Sequence, residues 1–202
     1  MQPYFLPYIG YFQTMATADE YVIYDVQFIK GGWINRNNIL IGGRKARFTM
    51  SLKNRSANKL INQTEISDDF VKLQRTFAMN YARAPYLSPT LSLLDSILQY
   101  DERNLARFVG HSLEVIANHL GLKCHILYSS SYPQGQDLRG QDRVIEICTR
   151  LGATRYVNAI GTSPELVVGL PNTTYSLESR GPSAMALRSK PLSWFLSMQT
   201  KS

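Results

Sequence analysis

Lys123-Cys124-His125-Ile126-Leu127-Tyr128 reads as a strand, and the segments after it set the topology. A polar loop runs from Ser129 to Gly140, a helix from Gln141 to Leu151 is closed by Gly152, and a second strand-like run covers Arg155–Ile160. Strand, helix and strand joined by short links make a βαβ unit, whose strands are parallel because the crossover returns the chain to the same end of the sheet. The order predicts an α/β fold: a Rossmann-like, mostly parallel sheet with helices on both faces.

Upstream of this unit the period is helical. Ser67-Asp68-Asp69 make a helix start, and Phe70, Leu73, Phe77 and Tyr81 come after it at spacings of three and four, with an end expected near Ala84 before Pro85. Leu91–Tyr100 and Asn104–Leu120 are two further amphipathic stretches, and the second places Leu105, Phe108, Val109, Leu113 and Ile116 on one stripe with Gly121 as its stop.

Nearer the N-terminus the chain is rich in β-formers. Glu20–Phe28 suggests a strand with Asp25 and Gln27 near its end, and Asn37–Ile41 and Ala46–Leu52 suggest a strand pair turning through Gly42-Gly43-Arg44-Lys45. The opening, from Met1 to Gln13, holds two prolines, a glycine and five aromatics, and reads as a shaped loop entering a helix near Tyr11. After Gly161 periodicity is lost, with only a weak helix-like stretch at Leu192–Met198. The expected division is therefore an α/β domain over 1–161 and an irregular segment over 162–202.

At 202 residues, 44% apolar and 18% charged, the chain has the composition of a globular protein. Its formal charge of +7 favours anionic partners, and the charge is uneven. No acidic residue falls between Val26 and Thr64, where Lys30, Arg36, Arg44, Lys45, Arg47, Lys53, Arg55 and Lys59 all lie. Cys124 and Cys148 have no disulfide or metal-ligand spacing and are expected to be reduced packing residues. With no signal sequence and no apolar run of ~20 residues, the expected location is the cytoplasm, without membrane insertion.

Several residues are candidates for chemistry. Arg36 between Asn35 and Asn37, just after the indole of Trp33, is a cluster suited to a phosphate held by a guanidinium fork and oriented by amides; a structural turn is the alternative. Asp25 and Gln27 near the C-terminal end of a strand stand where open parallel sheets place ligands, so Asp25 is the candidate general base or holder of a sugar hydroxyl, with a capping or salt-bridge role as the alternative. Lys30 offers a point charge, with a solvated lysine as the alternative, and Gln2, Tyr4, Tyr8 and Tyr11 offer a stacking wall for a base or sugar, with aromatics filling core beneath a short loop as the alternative. His111, His119 and His125 lack metal-site spacing, and helix-surface or core placement is expected. Ser129-Ser130-Ser131 lack a nucleophile-elbow context, which leaves phosphate binding with Arg139 or Arg143 as a role, while Asp142 and Arg143 most simply start the helix. No cofactor is identifiable.

Gln2-Pro3-Tyr4-Phe5-x-Pro7-Tyr8-Ile9-Gly10-Tyr11-Phe12-Gln13 and Asp25-Val26-Gln27-Phe28-Ile29-Lys30-x-Gly32-Trp33-Ile34-Asn35-Arg36-Asn37 together resemble the signature of the WbqC-like family. Tyr81-x-x-Ala84-Pro85-Tyr86, Ser129-Ser130, Gly140-Gln141-Asp142-Arg143 and Asn158-x-Ile160-Gly161 extend the resemblance over about 1–161. It implies work in bacterial surface-polysaccharide and O-antigen biosynthesis, as an acyl or aminoacyl transferase on a nucleotide-activated or lipid-linked amino sugar. The substrate-binding set it suggests adds Asn158 to the residues above. The partners implied are an anionic sugar nucleotide or acyl donor, with a charged tRNA as the alternative donor and an RNA-binding module as the alternative role. The opening loop is also similar to the phosphate-covering loop of HIGH-type nucleotidyltransferases, with Pro7 and Gly10 where those enzymes place histidines. Three departures stand out: the strand that precedes the Gln-Pro motif in relatives is expected to be missing, Asp25 stands alone where relatives often carry two acids, and 162–202 does not match their ending. A truncated, inactive copy is the remaining alternative.

Overall fold

A computed structural model describes residues 1–26, 32–53, 59–133, 135 and 137–157. Gln27, Lys30, Asn158 and the segment 162–202 lie outside the described residues. The described chain is a mixed α/β fold with one small parallel sheet and five helices.

Strand β1 (Glu20–Ile23) pairs in parallel with β6 (His125–Tyr128), from Glu20 opposite His125 to Ile23 opposite Tyr128. β1 is shorter than the composition of Glu20–Phe28 suggests, because the Asp25 N–H leaves the ladder and donates to the Ser129 hydroxyl at 3.1 Å. On the other edge of β1, the Met1 amino group donates to Val22 O at 2.9 Å, and the Tyr24 N–H donates to Met1 O at 2.7 Å. That is the bond pattern of a parallel bridge to Ile23, so residues 2–8 leave the sheet at the same end as Asp25 and Ser129.

The expectation of a mostly parallel sheet is not met among the described residues, where β1 with β6 is the parallel pair and two antiparallel pairs stand beside it. β2 (Arg36–Ile41) and β3 (Arg44–Thr49) form the predicted hairpin, tightened to a two-residue turn in which Gly42 and Gly43 take φ of 56° and 76°. β4 (Leu52–Lys53) pairs with β5 (Glu65–Ile66). Residues 155–157 carry no strand assignment, so the βαβ unit read from sequence stops, as described, at its helix.

The helices are α1 (Ile9–Met15), α2 (Val71–Asn80), α3 (Leu87–Leu98), α4 (Leu105–His119) and α5 (Gly140–Arg150). α2 begins later than its acidic start predicts. Phe70 adopts a left-handed φ of 60°, its N–H capped by Asp68 Oδ1 at 2.9 Å, so that its ring stacks on Phe108 at 5.1 Å and 9°. Burying that ring outweighs the preference of a bulky residue against φ > 0. α3 begins four residues earlier than expected, because Pro89 sits in its first turn, where a missing N–H loses nothing. α4 keeps its predicted bounds: Asn104 Oδ1 caps the Arg107 N–H, and Gly121 closes the helix at φ 68°.

The core is aromatic, and it ties the opening loop to everything else. Phe5, fully buried, meets Phe48 of β3, Phe70 before α2 and Phe108 of α4 at 6.1, 6.2 and 5.8 Å. Edge and tilted ring pairs of this kind add about 0.5–1.5 kcal/mol each beyond area burial. The loop 2–8 is therefore fixed from beneath by Phe5 and Leu6 while Tyr4 and Tyr8 reach the rim. Cys124 and Cys148 are unpaired and half-buried, and burial raises both thiols. No described helix is long and apolar enough to cross a membrane.

Candidate functional site

Three segments meet at the carboxyl ends of β1 and β6: the opening loop, the Asp25 turn and the Ser129–Ser131 turn. In open parallel sheets this end is where ligands bind.

Asp25 is 1% exposed. Its Oδ1 accepts from Ser129 Oγ at 2.8 Å and Ser130 N at 2.9 Å, and its Oδ2 accepts from Ser130 Oγ at 2.6 Å. The carboxylate thus locks the ends of β1 and β6 together. Ser129 is buried while Ser130 is half-buried, so Ser130 stands between the carboxylate and the outside. Beneath the serine turn, the buried Arg143 donates through Nη2 to Ser129 O at 3.0 Å and Tyr132 O at 2.5 Å, and pairs with Glu146 at 2.6 Å. Sequence suggested a helix-starting or phosphate role for Arg143; the structure places its head inside the turn it supports. The Asp25 carbonyl accepts from Asn62 N, and Asn62 O accepts from Asn104 Nδ2, which links the turn to the cap of α4.

On the other side stands Trp33, 39% exposed. Its ring lies 6.2 Å from Tyr4, with the Arg36 and Arg47 guanidinium carbons 6.0 and 5.5 Å from its centroid. Arg36 Nε donates to Gly32 O at 2.6 Å, which holds the side chain beside the indole. Tyr4 also meets Tyr11 edge-on at 6.2 Å, and burial, then the nearby Tyr8, pushes its phenol up to about 12. Tyr8 is 39% exposed at the rim, and Gln2 is half-buried, its carbonyl accepting from Tyr11 Oη at 2.8 Å.

The two asparagines flanking Arg36 turn inward, as the structural alternative required. Asn35 Nδ2 donates to Met50 O at 2.8 Å. Asn37 Nδ2 donates to Phe5 O at 3.3 Å and to Leu6 O, and its Oδ1 accepts from Asn38 N at 2.7 Å and from Tyr4 Oη at 3.4 Å. Leu6 holds a φ of 49°, unfavourable for a branched side chain ahead of proline, and Asn37 clamps that turn. The amides orient the loop that carries Tyr4, leaving Arg36 as the polar group that faces outward.

The structure brings Tyr4, Trp33 and Arg36 together and adds Arg47, which sequence gave only as one charge of the positive stretch between Val26 and Thr64. The hairpin register supplies it, since Asn38 opposite Arg47 places Arg47 on the face of Arg36. The signal available in sequence was the alternation of Lys45, Arg47 and Thr49, which are exposed on β3 between the half-buried Ala46 and Phe48. Elsewhere, His111 is half-buried and stacks on Tyr100 at 3.9 Å, and Arg107 lies 4.4 Å over the Tyr128 ring. No group of His, Cys, Asp and Glu among the described residues is arranged to hold a metal.

The model of the WbqC-like protein family matches residues 2–167. An uncharacterized protein of Mycobacterium tuberculosis is 28% identical over 163 residues, which span 78% of this chain and 70% of that relative. No solved structure matches.

Proposed function

The chain belongs to the WbqC-like protein family, and from that membership we propose that it transfers an acyl or aminoacyl group to a nucleotide-activated or lipid-linked amino sugar in bacterial surface-polysaccharide biosynthesis. The observation that carries the reading is the exposed Trp33 ring flanked by Tyr4, Arg36 and Arg47. An aromatic face suits a base or sugar, and guanidinium groups suit its phosphates. Tyr8 and Gln2 extend the wall, and Lys30, Gln27 and Asn158 complete the proposed binding set. We read the fold as Rossmann-like, with the opening loop in the place of the HIGH-type phosphate loop.

In this reading the acceptor amine attacks the acyl carbonyl and the bond from that carbonyl to its carrier breaks. The amine's proton passes through the Ser130 hydroxyl to Asp25 and leaves with the carrier. Ser130 suits this role because it reaches outward while hydrogen-bonded to the carboxylate at 2.6 Å. Positioning and charge stabilisation supply most of the rate. The test is a thermal-shift screen of the full chain against nucleotide sugars, acyl-CoAs and bulk tRNA, with a transfer assay on the ligands that bind. A ligand binding only the native state raises the melting point by mass action. The expected result is a shift with a sugar nucleotide that vanishes in Arg36→Ala; no shift with any donor or acceptor contradicts the reading.

A second reading is favoured by the exposed row Arg44, Lys45 and Arg47 along β3: a charged tRNA serves as the aminoacyl donor. Phosphate-dominated binding weakens steeply with added salt, so tRNA affinity that does not change with salt rejects this reading.

A further inference from the structure

We propose that the anionic group held at the Trp33 platform is a diphosphate, gripped by Arg36 and Arg47 together, and that Arg47 is the residue that distinguishes it from a monophosphate. The inference rests on the reading that this platform binds an activated sugar, and it names the chemistry of that ligand.

Arg36 pairs with Thr49 and Asn38 with Arg47, so Arg36 and Arg47 are diagonal neighbours on one face of the hairpin. Both guanidinium groups lie against the same indole, at 6.0 and 5.5 Å from its centroid. Arg36 is steadied through Nε on Gly32 O, and its two terminal amino groups have no hydrogen-bond partner among the described residues. Arg47, exposed on β3, has the ring alone as its described partner. Neither is paired with a carboxylate among the described residues. Two like charges that lie within about 6 Å of one ring centroid repel each other when no counter-ion is present, and an anion that bridges them removes the repulsion. A guanidinium fork takes two oxygens of one phosphate, so two adjoining phosphates give each arginine a bidentate partner of its own, whereas a monophosphate must share its oxygens between both. The same chemistry is offered by a nucleoside diphosphate and by a diphosphate-linked lipid.

Isothermal titration of the full chain with UDP, UMP, inorganic pyrophosphate, inorganic phosphate and a short prenyl diphosphate tests this. UDP is expected to bind at least about 10-fold more tightly than UMP, and pyrophosphate than phosphate, a ratio worth one decade of affinity. Arg47→Ala is expected to abolish that ratio and Arg47→Lys to restore only part of it, because a lysine keeps the charge and loses the fork. Circular dichroism of both variants confirms that they fold. Equal affinity for mono- and diphosphates in the unaltered chain overturns the clamp, as does a ratio that survives Arg47→Ala in folded protein. If pyrophosphate shows the ratio and the prenyl diphosphate binds more tightly than pyrophosphate while UDP gains nothing over it, the clamp stands and the nucleotide-sugar reading fails. If UDP and UMP bind equally and both more tightly than the inorganic ions, the clamp fails and the nucleotide-sugar reading stands. Displacement of pyrophosphate by single-stranded oligoribonucleotides, with steep salt dependence, also overturns it.

Discussion

Asn37 and Asp25 each hold a loop at the site, and substitutions separate what they hold from what they do. Asn37→Ala removes the clamp on the Phe5 and Leu6 carbonyls and the acceptor for Asn38 N. It is expected to destabilise the fold by about 1–3 kcal/mol, the range for buried groups left unsatisfied. Ligand affinity should fall too, since Tyr4 rides on that loop; a urea denaturation series and a binding titration check both. Asp25→Asn keeps the shape and two acceptor positions, because Ser130 can reverse its hydroxyl, so the melting point is expected to change little while transfer is lost. Asp25→Ala orphans Ser129 and Ser130 and is expected to lower stability by about 1–3 kcal/mol. Transfer that persists in Asp25→Asn would make the carboxylate a lock between β1 and β6 and nothing more. Sequence pointed to Asp25 because open parallel sheets place ligands at strand ends, and to Arg36 because a guanidinium between two amides beside Trp33 suits a phosphate. It could not show that Asn35 and Asn37 face inward, since an amide's direction is set by which carbonyls the folded loop leaves without a partner.

Helix α4 meets β6 where Gly110 approaches Tyr128 and Arg107 covers its ring. A Cβ added at Gly110 would collide with the Tyr128 phenol, so Gly110→Ala is expected to force the two apart and destabilise the fold by about 1–3 kcal/mol, as overpacking does. For a chain of this size that is a fall of about 2–4 °C per kcal/mol, readable by calorimetry. Tyr128→Phe removes the hydroxyl that a new methyl would strike and is expected to relieve part of the loss. The bounds of α4 were legible because Asn104 and Gly121 announce them chemically and its apolar stripe is regular. Those of α2 and α3 were less so. Phe70 takes a strained backbone to fill a hole that only the tertiary fold defines, and Pro89 reads as a stop although it sits harmlessly in a first turn.

At the scale of the molecule, the chain buries many phenols and carries an unbalanced positive face, and both have consequences in solution. Burial raises the phenols of Tyr4, Tyr11, Tyr21, Tyr81, Tyr128 and Tyr156, with Tyr4 and Tyr156 pushed up to about 12 from an ordinary 10.0. Above that ordinary value the unfolded chain releases phenolic protons that the folded chain keeps, so stability falls as pH rises from about 10 toward 12. Urea midpoints that decline over this range check the sign, and a flat profile contradicts it. The mixed α/β class was legible from periodicity, but the balance of parallel to antiparallel pairing was not. A strand's composition says how well it packs and leaves its partner open; β2 with β3 and β4 with β5 pair locally, and one parallel pair is described at the centre. The positive stretch from Val26 to Thr64 was legible as charge, and the hairpin register is what puts Arg36, Lys45 and Arg47 of it on one face. The most direct test of that face is the intrinsic fluorescence of the full chain titrated with a nucleotide sugar, since Trp33 and Trp194 are its two tryptophans. A base stacking at the platform is expected to quench emission saturably in the unaltered chain and in Trp194→Phe, and to leave Trp33→Phe unchanged. Quenching that persists in Trp33→Phe, or none in the unaltered chain, would contradict a nucleotide site at Trp33.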